Sequence, residues 1–242
     1  MNTRRLTIVA AALSSLAVGS ATLADTVDVN FVGVGLGRNV RIDLNSSAKN
    51  VFAGQLVHNF ANGTGDCASL AGNVTTFCTE LTQYVNGGVN EFDCVQVEDA
   101  PNTNPMGTIR ANAIGDLYAY AAGAQFASAS TNANKDLAAA FQIAVWEIAN
   151  DYDGTSGSLD LSSGTLKVTN TSGGALSAGI STQLSNLFSA VGLNAGFAGL
   201  RAVSNSSYQD QLVLIPLPAP VLIGLAGLGA VVIRRRRIAA AG

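Results

Sequence analysis

The chain has 242 residues, of which only 12% are charged and 26 are glycine, and its net charge is -3. A surface of small polar groups rather than ion pairs suits an exported protein and argues against a cytosolic enzyme. Arg4 and Arg5 lie near one end and Arg234 to Arg237 near the other. The body between them is therefore acidic, which excludes the clustered basic surface that nucleic-acid binding requires.

Residues 1–24 read as a secretory signal. Arg4 and Arg5 form a basic start and residues 6–18 an apolar stretch, and Thr22-Leu23-Ala24 offers a cleavage site before Asp25. The apolar stretch predicts a short helix, interrupted by Ser14 and Ser15 and too short for a permanent span.

Alternation of Val27, Val29 and Phe31, then of Val40, Ile42 and Leu44, followed by an apolar run over 51–60, predicts antiparallel strands separated by Gly and Asn turns. Gly33-Val34-Gly35-Leu36-Gly37 misses the spacing of a phosphate-binding loop and reads as one of those turns. Residues 61–110 read as irregular, with a short strand at Val95-Gln96-Val97. Beyond Pro105 the period becomes helical: Ile114, Leu117, Tyr118 and Ala121 share a face. Leu137, Phe141, Ala144, Val145 and Ile148 predict a helix over 136–150. Residues 151–164 are turn-rich, a further helix is predicted over 178–191, and residues 212–215 form a closing strand. The fold class is α+β: an antiparallel β-rich, sandwich- or barrel-like part with a helical insert, plus short apolar helices at both ends. About 190 residues remain between the ends, enough for one domain with its own core.

Several residues invite a site and are better explained otherwise. His58, the one histidine, sits in a strand-like run and reads as structural; with no second His, a multi-histidine metal centre is excluded. Asp151-Tyr152-Asp153-Gly154 resembles part of a calcium loop, but Ala149 stands where an earlier acidic ligand belongs, so a turn ending a helix is the better reading. Asp151 and Asp153 are also the pair on which a secreted hydrolase would have to rest, the weakest of the functional readings. Asn45, Asn62, Asn73, Asn170 and Asn205 begin Asn-x-Ser/Thr triplets and mark surface loops. No metal or other cofactor is implied.

Residues 212–233 carry no charge, and Pro216, Pro218 and Pro220 bar a helix through the first part. A helix from Pro220 to Ile233 would reach only about 20 Å, short of a bilayer core of ~30 Å. The run Arg234, Arg235, Arg236 and Arg237 would remain cytoplasmic. This sequence of Pro motif, apolar helix and Arg block resembles the PEP-CTERM sorting tail, with Leu217 in the place of the usual Glu. The resemblance implies an exosortase-type processing peptidase as partner, a transient membrane anchor in the tail, and a final address at the cell surface or in the extracellular matrix.

Three cysteines, Cys67, Cys78 and Cys94, cannot all pair within one chain. The residues alone leave open whether Cys78 pairs with Cys67 or Cys94, or stays free. Phe77-Cys78-Thr79-Glu80-Leu81 lies upstream of Phe141-Gln142-Ile143-Ala144-Val145-Trp146-Glu147-Ile148. Together these segments resemble the aromatic-Cys and Gln-x-Ala-hydrophobic-Trp motifs of the thioester domains of bacterial surface adhesins and related PEP-CTERM proteins. Tyr208-Gln209-Asp210-Gln211 is similar to the end of those relatives. The chain lacks the Pro that follows the Cys motif in the Gram-positive members.

The resemblance implies an internal thioester between Cys78 and Gln142, shielded by Phe77, Phe141 and Trp146, that captures an amine such as a Lys on a partner surface. Cys67 and Cys94 are then left as a disulfide pair. The organisation expected is a signal peptide over 1–24, a thioester-domain-like extracellular domain over 25–211 and a sorting tail over 212–242. The function expected is adhesion or matrix attachment, by an interaction protein and not an enzyme. A structural envelope protein that uses its cysteines for disulfides alone is the rival.

Overall fold

The computed structural model describes residues 25–121 and 129–215. It is an α+β fold of seven antiparallel strands and three helices. The strands are β1 (Thr26–Leu44), β2 (Ser47–Ala61), β3 (Gly72–Cys78), β4 (Val89–Val95), β5 (Leu166–Thr169), β6 (Leu200–Ser204) and β7 (Gln211–Leu214). The helices α1 (Gly107–Ala121), α2 (Asn132–Asn150) and α3 (Ala178–Ala190) all fall between β4 and β6 in the chain. The expected signal segment, the apolar helices expected at both ends, Pro216, Pro218, Pro220 and the four tail arginines lie outside the described residues. Among the described residues no helix is long and apolar enough to cross a membrane.

The strand order is β2-β3-β7-β6-β4-β1-β5, and β1 also pairs with β2, so six strands close into a ring. Closure depends on the length of β1. Its first residues, Thr26 to Asn30, pair with β4, while Arg41 to Leu44 pair with β5, and β2 runs along its other edge almost throughout. The β1–β2 hairpin turns on Asn45 and Ser46, both at positive φ, the conformation that a two-residue hairpin with matching twist needs.

The glycine segment 33–37 is not a turn, as expected from its composition, but the bulged middle of one strand. The register slips between Phe31 and Gly33 and again between Val34 and Gly37. A side chain on Gly37 would collide with the Ala53 carbonyl oxygen across the hairpin. The Leu36 N–H freed by the bulge donates to Gln55 Oε1 at 3.0 Å. Glycine in a strand interior signals a bulge as readily as a turn, and only the partner strand decides between them.

The segment 61–110 is likewise more regular than its sequence suggests. It holds β3 and β4, and Val95 ends a strand rather than starting one, since Val97 opens a short 3-10 turn. These strands are short and rich in Thr, Asn and Asp, so their two-residue period is faint. Strands β5 and β6, four and five residues long, give no readable period either.

Two cores follow from the ring. Val27, Val29, Phe60, Phe92, Val203 and Val213 form one cluster with Cys67 and Leu70, and Val74 and Cys94 pack against it. Every ring strand contributes, which places this cluster inside. Cys67 and Cys94 are joined there by a disulfide spanning 27 residues. The larger core lies between the outer face of the sheet and the helices, with α2 at its centre. Every residue of α2 from Ala138 to Ala149 is buried, as a helix enclosed on all sides requires. Thr131 caps its start by accepting from the Asn134 N–H. Arg110 on α1 caps its end by donating to the carbonyls of Ala149, Asn150 and Tyr152.

The disulfide closes a 27-residue loop in the unfolded chain. Its loss should cost about 3.5 kcal/mol in the chain-entropy account. Replacing both Cys67 and Cys94 by Ala should lower Tm by about 10 °C, read by circular dichroism, while Cys78→Ala should lower it far less.

Candidate functional site

Cys78 is the last residue of β3, not part of an irregular loop, and its strand position shapes the site. On one side β3 pairs with β7, matching Phe77 to Leu212 and Cys78 to Gln211. On the other side its pairing with β2 stops at Thr76 opposite Leu56. The backbone N–H and C=O of Cys78 therefore point to an edge that no strand covers.

Gln142, on α2, fills that edge. Its Oε1 accepts from the Cys78 N–H at 3.0 Å, and its Nε2 donates to the Cys78 carbonyl at 2.7 Å. The carboxamide thus takes the place of a neighbouring strand's peptide, and the two bonds fix which end is oxygen. The Cys78 thiol reaches the same oxygen, with Sγ 3.4 Å from Oε1. Gln142 is fully buried and Cys78 is 4% exposed.

Phe77, Phe141 and Trp146 are all buried around this pair. The rings of Phe77 and Phe141 lie 4.7 Å apart, and Tyr118 meets Phe141 edge-on at 4.9 Å. Burial pushes the Cys78 thiol up to about 12, and the charge of Glu80 adds to this. The neighbouring Trp146 side chain and the backbone pull the other way. That indole nitrogen has no hydrogen-bond partner. Cys78 is a free thiol, because the disulfide takes the other two cysteines.

Residues that the sequence did not single out as functional hold the strand end in place. Asp210 accepts the Thr79 N–H on its carbonyl, and its carboxylate takes the Asn102 and Asn205 N–H groups and the Ser204 hydroxyl. Glu80 accepts from the Asp210 N–H and from the hydroxyls of Thr82 and Thr103. Burial pushes the Asp210 carboxyl up to about 6. A second polar chain runs from His58 Nδ1 to Thr76 Oγ1 to Gln211 Oε1, at 2.9 and 3.1 Å. Because Thr76 donates to Gln211, the network assigns the His58 proton to Nδ1. Burial lowers His58 to about 4, so this ring is neutral at ordinary pH. The signal available in sequence was a set of polar residues, Thr76 and Gln211 within strands and Glu80 and Asp210 just beyond strand ends, close to apolar positions.

The carboxylates considered for other chemistry are taken up by turns. Asp151 accepts from the N–H groups of Thr165 and Leu166, and Asp153 accepts from the N–H and hydroxyl of Thr155. Among the described residues no group of three His, Cys, Asp or Glu side chains is placed to hold a metal ion. Compared with protein-family models, with curated proteins and with solved structures, the chain matches none of them.

Gln142→Leu would leave the buried N–H and C=O of Cys78 without partners. It should destabilise the fold by about 2–4 kcal/mol, measured as a lower urea midpoint at unchanged m-value. Glu147, one residue beyond Trp146, has one carboxyl oxygen on the Asp160 N–H and the other without a partner. Burial, then the charge of Asp151, pushes it up to about 7. Between pH ~4.5 and ~7 the folded chain keeps a proton there that the unfolded chain has lost, so this group's contribution to stability falls as pH rises. His58 acts in the opposite direction, since its lowered value makes the unfolded chain the better proton binder between pH ~4 and ~6.5. Glu147→Gln should therefore raise Tm at pH 8 but not at pH 4, relative to the parent.

Proposed function

We propose that this chain is an exported cell-envelope protein that attaches covalently to amine-bearing surfaces through an internal thioester between Cys78 and Gln142. One observation carries the reading. The Gln142 carboxamide is held at both ends against the Cys78 backbone, its oxygen 3.4 Å from the thiol, in a site closed to water.

The Cys78 sulfur attacks the Gln142 side-chain carbon. The Cys78 N–H already donates to the oxygen on which negative charge then grows, the role of an oxyanion-hole donor. The carbon–nitrogen bond breaks, the thiol proton goes with the departing nitrogen, and ammonia leaves. An amine that later attacks the thioester forms an amide bond and returns the proton to sulfur. A thiol raised to about 12 is ionised in roughly one molecule in 10⁴ to 10⁵ at neutral pH. Held reactants gain effective molarities of about 10⁵–10⁸ M, enough to offset that deficit. Loss of ammonia to dilute solution draws the exchange forward.

The address rests on the signal-like start and the PEP-CTERM-like tail, and a disulfide-bonded core suits an oxidising compartment. The partners proposed are an exosortase-type peptidase for the tail, a Lys-bearing surface for the thioester and the membrane through the tail; nucleic acid is not among them. The rival reading, a structural envelope protein without covalent chemistry, draws on one observation. Gln142 satisfies the backbone of Cys78 whether or not a bond forms.

The intact mass of the purified protein should be one ammonia below the sequence mass after allowing for the disulfide. Methylamine should add at Gln142 and release one thiol, and Cys78→Ala should abolish both effects. A parent and a Cys78→Ala variant that behave alike would leave only the structural reading.

A further inference from the structure

A cleft of about 280 Å³ opens where the short turn after β4, helix α1 and the loop after α3 meet. Gln96, Glu98, Asn112 and Asn194 bring exposed carboxamide or carboxylate ends to it. Among the described residues the side chains of Gln96, Glu98 and Asn112 make no hydrogen bond or ion pair. Asn194 donates its Nδ2 to the Gly192 carbonyl at 3.1 Å and keeps its oxygen free. Phe197 forms an apolar wall, half-buried, its ring 5.8 Å from that of Tyr118. Among the described residues no Lys or Arg lines the cleft. The loop wall is held firmly from below. Asp116 is 3% exposed, and its carboxylate accepts the N–H groups of Gly192, Asn194, Ala195 and Gly196 at 2.8, 3.3, 2.7 and 3.4 Å. Gly192, Asn194 and Gly196 take positive φ, which turns these donors onto one carboxylate. A buried charge thus fixes a loop that is itself exposed.

We propose that this cleft binds one neutral sugar unit of a glycan, without covalent chemistry. Carboxamides offer both donors and acceptors, as hydroxyl groups do, and a carboxylate can accept from two neighbouring hydroxyls at once. Phe197 supplies an apolar wall for the C–H face of a sugar ring. An anionic ligand would meet Glu98 with no cation to offset it. An apolar chain would strip water from Gln96, Glu98 and Asn112 and return no partner. The volume lies just below the roughly 300–1,000 Å³ of sites for drug-sized ligands, which suits a single ring. The rings of Tyr118 and Phe141 lie between Phe197 and the Cys78–Gln142 pair, so recognition here does not depend on the thioester.

Titrating the isotope-labelled full chain with glucose, galactose, mannose and N-acetylglucosamine at millimolar concentrations, beside glucuronate and methylammonium, reads the site by nuclear magnetic resonance. At least one neutral sugar should shift the side-chain amide resonances of Gln96, Asn112 and Asn194 together, and its ring protons should receive saturation from Phe197. Glu98→Ala and Asn112→Ala each remove an exposed side chain with no partner inside the protein. Each should weaken that binding about ten-fold with Tm unchanged. Cys78→Ala should leave it as in the parent, whether or not the thioester forms. The assignment is overturned if all four neutral sugars leave these amides unmoved, or if glucuronate or methylammonium moves them more strongly. Binding that survives both variants at parent strength overturns it as well.

Discussion

The site depends on a carboxamide standing in for a strand. Where β2 leaves β3, the N–H and C=O of Cys78 would be stranded in an apolar core, and Gln142 meets both. Buried backbone polar groups must be paired, so this contact is forced on the fold before any chemistry is considered. Satisfying the backbone brings the same carboxamide within 3.4 Å of the thiol. Structural need and reactive geometry arise from one pair of hydrogen bonds, and both place α2 against the rim of the strand ring.

The surroundings are built with little net charge to spare. The ion pairs among the described residues are Arg38–Asp136 and Arg201–Asp66, both partly exposed. Inside, carboxylates are neutralised by backbone N–H groups instead. Asp210 gathers three segments next to Cys78, and Asp116 on α1 accepts from the N–H groups of the loop following α3. Such carboxylates bind segments that have no regular partner, at the cost of raised proton affinity where burial is deep, as at Asp210 and Glu147.

The helices were legible because their period is strong. Leu137, Phe141, Ala144, Val145 and Ile148 mark α2 within four residues of its true start, the face of α1 was marked by Ile114, Leu117, Tyr118 and Ala121, and α3 was placed over 178–191. Short polar strands were not: β3, β4, β5 and β6 carry too few apolar positions for an alternation to register, and the glycines of β1 imitate a turn. At the site, Cys78 and Gln142 stood out by motif alone. Glu80, Thr76 and Asp210 did not, because a polar residue is recognised as buried only when its partners, far off in sequence, are known.

The sequence by itself determined the α+β class, the positions of the three helices and the candidacy of one cysteine and one glutamine 64 residues apart. Local periodicity and residue chemistry suffice for these, since each is written within a few turns of chain. Ring closure through the long β1, the pairing of Cys67 with Cys94, and the meeting of the Cys78 backbone with the Gln142 carboxamide were decided only in three dimensions. They depend on where one strand stops bonding another, and that is set by bulges and packing across the whole sheet rather than by any local run of residues.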